Sequence, residues 1–181
     1  MGRWGHRMFE GDQDMDIEGQ IISEIQKKVK ARGVYMEDEH MFDLFYNLEE
    51  PDYRPTRFSI TSRELRGHIK SMSGQLLKQY RTNPDASYGQ YATIVLSAVM
   101  MKTGCKISEE NRTFLRQAAH GTSSRSSRSW FALFSGDIGF RDPGKAQFLS
   151  ALDNYKNGKP RDFRAPRSVA EQGPPAGEGE D

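Results

Sequence analysis

Residues 88–101 read YGQYATIVLSAVMM, and no charged residue stands between Asp85 and Lys102. At helical spacing its apolar side chains point in nearly every direction, and a helix apolar all round has to be covered on all sides. The stretch predicts a central helix over about 87–103 with the remaining elements wrapped around it. It is too short to cross a bilayer: the longest apolar run, 94–101, is broken by Ser97 and falls well below the roughly 20 residues of a membrane span.

Working outward, the helices that could cover this axis are amphipathic. Over 62–81, Leu65, Ile69, Met72, Leu76 and Tyr80 step by four, three, four and four before Asn83-Pro84 stops the helix. Over about 15–32, Ile17, Ile21, Ile25 and Val29 recur every four residues with Ile22 beside them, and Gly33 marks the end. Ser108-Glu109-Glu110 reads as a helix start before Phe114, Leu115, Ala118 and Ala119. Asp142-Pro143 opens a helix through Phe148, Leu149, Leu152 and Tyr155 to Asn157-Gly158. A short helix is expected over 41–48. The apolar stretch 130–134 is too short to assign, and the class leaves room for one minor extended element. The expected class is all-α: a single-domain helical bundle over 1–167 with an irregular N-terminal segment and a mobile polar loop near 121–129. The tail 168–181, SVAEQGPPAGEGED, has too few apolar side chains to offset the entropy of ordering and is expected to be a disordered acidic extension.

A net charge of +1 conceals strong segregation. Residues 1–50 carry 6 Lys/Arg against 12 Asp/Glu, whereas 51–167 carry 20 against 9, so the acidic and basic parts can either fold against each other or face different partners. The single cysteine, Cys105, excludes an internal disulfide framework and suits a reducing compartment. The first six residues form no apolar secretory core, and His6 stands where a myristoylation signal wants Ser or Thr. The chain is expected to be intracellular and cytoplasmic, with the nucleus also open to it, and to have no membrane contact.

Catalytic and metal motifs fail on detail. Asp12, Asp14 and Asp16 alternate like the start of a calcium loop, but Ile17 replaces the required glycine and Ser23 the closing glutamate, so they read as acids at a positive helix N-terminus. His6, His40, His68 and His120 show no metal-site spacing. Residues 139–145, GFRDPGK, lack the Walker pattern, and Asp142 there reads as a helix cap. No cofactor and no metal are expected. On the 62–81 helix, Arg63, Lys70, Lys78 and Arg81 fall within roughly 80° of arc opposite the apolar stripe, using about 100° per residue. Gly67 and Gly74 share that arc, where small residues would let a phosphate backbone approach, and Arg54, Arg57 and Arg66 could extend it.

Two stretches carry a family likeness: Gly2, Trp4, Gly5, Phe9, Asp12 and Asp16 in the pattern M-G-x-W-G-x-x-x-F-x-x-D-x-x-x-D, and 139–145 with Phe148, Leu149, Ala151, Leu152, Asn154 and Tyr155. In these the chain resembles a family of small, largely fungal proteins with no established activity. The resemblance supplies no catalytic residue and implies that the N-terminal segment belongs to the domain. Trp4 and Phe9 then read as aromatic anchors, with Asp12, Asp16, Arg141 and Asp142 as structural motif residues. The leading expectation is a non-enzymatic interaction module with a protein partner, its oligomeric state open. A nucleic-acid-binding protein using the basic face of 62–81 is second, and an enzyme whose carboxylates and histidines meet only in the fold is third.

Overall fold

Every residue from Tyr91 to Met101 is buried, and that cylinder of apolar side chains organises the rest of the chain. The computed structural model describes residues 7–37, 40–48, 50–83, 89–121, 140, 142–161 and 163. Within them run six helices and no strand: α1 (Asp12–Lys30), α2 (Met41–Tyr46), α3 (Ser62–Thr82), α4 (Gln90–Lys102), α5 (Glu109–Gly121) and α6 (Gly144–Asn154). The fold is all-α, with α4 at its centre. Helices α1, α3 and α5 pack directly on α4; α2 bridges α1 and α3, and α6 lies on α5. Among the described residues no helix is long and apolar enough to cross a membrane.

Helix α3 forms where its period places it and is fixed at its start by a capping box. The Thr61 hydroxyl accepts from the Glu64 amide, while the Glu64 carboxylate accepts from the Thr61 amide at 2.6 Å. Its stripe of Leu65, Ile69, Met72 and Leu76 is buried, joined by Leu77. Helix α1 buries Ile17, Ile21, Ile22, Ile25 and Val29 as its spacing requires, but it begins three residues earlier than the apolar pattern does. The reason is that its first turn is polar and still turns one side chain, Asp14, into the core.

The end of α6 departs from the sequence reading. Helix α6 stops at Asn154, not at 157–158, because Tyr155 swings into extended backbone (φ −68, ψ 127) and sends its hydroxyl to the Cys105 carbonyl at 2.6 Å. Gly104, at φ +72, closes α4 against that same segment. A Cβ there would come within 3.0 Å of the Gly158 carbonyl oxygen, so both the backbone conformation and the contact require glycine. The loop expected near 121–129, the stretch 130–134 and the tail 168–181 lie outside the described residues, apart from Gly121, which ends α5.

Candidate functional site

The N-terminal motif leads into the core. Met8 is buried, and its amide donates to Gln147 Oε1 of α6 at 2.7 Å; the same side chain donates through Nε2 to the Phe163 carbonyl at 2.9 Å. Gln147 thus clamps both extremities of the described chain. Phe9 adopts φ +64, directs its amide to Asp14 Oδ2 at 3.0 Å and sets its ring edge-on to Phe163, with centroids 5.6 Å apart. Trp4 and Arg141 lie outside the described residues.

Behind Phe9 is a polar cluster joining α1 to α4. Asp14 accepts a hydrogen bond from the Tyr91 hydroxyl. Glu18, only 2% exposed, meets the Lys102 ammonium at 2.7 Å. That ammonium also lies 4.5 Å from the centroid of the Phe9 ring, 5.3 Å from that of Phe45 and 5.7 Å from that of Tyr46. Each charge is committed to neighbours inside the fold, so the arrangement is a tether between helices. A signal for it existed: Asp14 stands three residues before Ile17 and four before Glu18, and Glu18 four before Ile22, so both acids continue the apolar stripe.

Asp12 and Asp16 remain on the surface, facing away from Asp14, and the three aspartates do not converge. Neither of the two caps α1; the N-cap position is Gly11, with no side-chain bond. Asp142 does accept from the Ala146 amide at 3.0 Å, although the N-cap position itself is Pro143. His40 sits between Glu37 and Asp43 on the surface, at 3.2 and 3.6 Å, and is not joined to the Asp14–Glu18 cluster. Among the described residues no three His, Cys, Asp or Glu side chains gather as metal ligands.

An open cleft of about 560 Å³ lies where α1 meets α2, lined by Met15, Asp16, Gly19, Gln20, Ser23 and Phe42 among others. The Phe42 ring packs over Gly19, where a Cβ would sit in ordinary contact with it at 3.6 Å. Met15 and Phe42 nevertheless stay 51% and 44% exposed, unusual for such large apolar side chains flanking one cleft. Asp16 rims it, with Asp12 exposed one turn earlier on α1.

The basic arc of α3 is split in use. Lys70 and Lys78 are exposed, and Cβ atoms at Gly67 and Gly74 would meet nothing within 4 Å. Arg63 approaches Asp52 at 3.7 Å, both side chains largely in solvent. Arg81 is drawn into the α3–α5 contact, where it bonds Glu110 at 3.0 Å and Asn111 and lies 4.6 Å from the Phe114 ring. Before α3, a turn exposes Phe58, with the Arg57 guanidinium 4.6 Å from its ring.

Cys105 is fully buried with its sulfur 3.1 Å from the Thr103 hydroxyl. Burial raises its pKa, against smaller lowering influences that include the Lys70 charge, so the thiol is held protonated and unreactive. Burial likewise raises the pKa of Tyr155, helped by Cys105 and opposed by Arg112. Arg112 braces this corner, donating to the carbonyls of Leu152 at 2.6 Å and Tyr155 at 2.9 Å at the end of α6. No protein-family model, no curated protein and no solved structure matches the chain.

Proposed function

We propose that the protein is a non-enzymatic intracellular interaction module whose α1–α2 cleft receives a basic, amphipathic helix of a partner protein. The observation that carries this is the pair of exposed apolar side chains, Met15 and Phe42, on a cleft rimmed by Asp16. Apolar anchors on the partner would bury against them, and its cations would meet Asp16 and Glu24, which outnumber the one lining cation, Lys27. The test uses a synthetic Leu/Lys amphipathic peptide and its Leu/Glu counterpart, followed by amide chemical shifts. The Lys peptide should shift residues around Met15, Gly19 and Phe42, and Phe42→Ala should remove the shifts. Equal binding of the Glu peptide, or shifts elsewhere, would overturn the assignment.

A second reading, nucleic-acid binding through α3, is favoured by the exposed side chains of Lys70 and Lys78 beside two open glycines. Lys70→Glu with Lys78→Glu should abolish binding to an oligonucleotide while leaving helicity unchanged, and binding should weaken with salt. Binding indifferent to these two charges would sink it.

A further inference from the structure

Where α4 ends, two loops are fastened back to back. The Tyr155 hydroxyl holds the Cys105 carbonyl at 2.6 Å, Asn157 Oδ1 accepts the Ile107 amide at 2.9 Å, and the Arg161 amide donates to the Met101 carbonyl at 2.9 Å. Lys106 stands between two of these ties, and Lys156, Lys159 and Arg161 follow along the opposing loop; all four are exposed. The same corner adjoins α3: the Ser73 side chain hydrogen-bonds the Cys105 thiol, and its hydroxyl donates to the Lys70 carbonyl at 2.9 Å.

Four surface carboxylates of the basic part of the chain are already used. Asp52 is paired with Arg63, Glu109 with Arg112, Glu110 with Arg81, and Asp153 with Arg116. None of these ion pairs involves Lys70, Lys78, Lys106, Lys156, Lys159 or Arg161, so that among the described residues these six cations form a surplus with no carboxylate of their own. A surface carrying unneutralised cations is suited to a linear polyanion, whose condensed counterions it displaces. The exposed Arg57–Phe58 turn before α3 adds an aromatic face of the kind on which unpaired bases stack.

We propose that the α3 arc is the middle of a longer track for single-stranded nucleic acid, which continues from Lys70 onto the paired loops carrying Lys106, Lys156, Lys159 and Arg161. This rests on the nucleic-acid reading of α3 and extends it. Each phosphate contact steepens the salt dependence of single-strand binding by about 0.7 in log–log slope. The experiment measures fluorescence anisotropy of a labelled 20-nucleotide oligo(U) with the full chain, the loop variant Lys106→Gln/Lys159→Gln and the arc variant Lys70→Gln/Lys78→Gln. Oligoglutamate and phosphatidylserine vesicles serve as competitors, and circular dichroism confirms that the surface substitutions leave the fold unchanged. The loop variant should bind about tenfold more weakly, with a slope shallower by about 1.4, two contacts' worth. A loop variant that matches the wild type while the arc variant is impaired overturns the extension and leaves the α3 reading intact. No binding by the wild type at low salt overturns both. Competition by oligoglutamate or vesicles as strong as by unlabelled RNA overturns the assignment to nucleic acid.

Discussion

Helices α1 and α3 are long, amphipathic and packed on the same apolar axis, yet they meet it in different chemistry. The buried face of α3 is Leu, Ile and Met with two serines, Ser62 and Ser73, whose hydroxyls bond nearby carbonyls of Asn47 and Lys70. That of α1 includes two carboxylates, Asp14 and Glu18, answered across the interface by Tyr91 and Lys102. Helical period says which residues face inward. Whether a charge can stay there depends on a partner that only the fold supplies.

The largest expected effect breaks the α1 side of the comparison. Glu18→Ala leaves the Lys102 ammonium in its aromatic surroundings without a counter-charge and should cost about 3–5 kcal/mol, read from urea denaturation midpoints. Replacing both, as Glu18→Met/Lys102→Met, should recover most of that loss. A single-variant cost below about 1 kcal/mol would mean that the lysine simply turns out to solvent, as in a surface pair.

On the α3 side, Ile69→Ala should cost about 2–5 kcal/mol through lost burial and the cavity left behind. Removing a polar or charged group from α4 should not rescue it, because no unpaired charge is involved; a rescue of that kind would erase the distinction between the two helices.

Tyr91→Phe removes one donor from buried Asp14 and should cost about 1–3 kcal/mol. Calorimetry of this variant alongside Asp14→Ala shows whether the two losses couple. Strict additivity would show that the hydrogen bond contributes nothing to the tether.

The smallest effect concerns the ends of the two helices, one capped by side chains and one not. Thr61→Ala should cost about 1 kcal/mol, whereas Gly11 before α1 has no side-chain cap to lose. Bonds from the Thr61 amide and hydroxyl, the largest influences on it, hold the Glu64 carboxyl below its ordinary pKa. A lowered folded-state value contributes stability that is present above the ordinary carboxylate range and is lost as pH falls through the folded value. The destabilisation caused by Glu64→Gln should therefore be visible at neutral pH and fade in strong acid. A difference that persists unchanged in acid would assign it to packing instead.

Much of the site was half legible. Lys70 and Lys78 were readable as an exposed arc from spacing alone, but Arg81 on the same arc was not separable from them, because Glu110, Asn111 and Phe114 reach it from α5. The cleft was not legible at all, since Met15 and Phe42 lie on different helices and only the packing of α2 on α1 brings them together. Lys106 and Lys159 are 53 positions apart in the chain and share a surface only because Tyr155 and Asn157 fasten their loops.

The sequence by itself determined the all-α class, the central place of α4 and the inward faces of α1 and α3. These follow from local periodicity, and burying an apolar face is favourable whatever it packs against. Tertiary structure decided which polar residues enter the core, where α6 ends and which cations are left over at the surface. Those outcomes turn on individual partners at hydrogen-bonding distance, and a hydrogen bond or ion pair, unlike apolar burial, depends on one specific atom arriving from elsewhere in the chain.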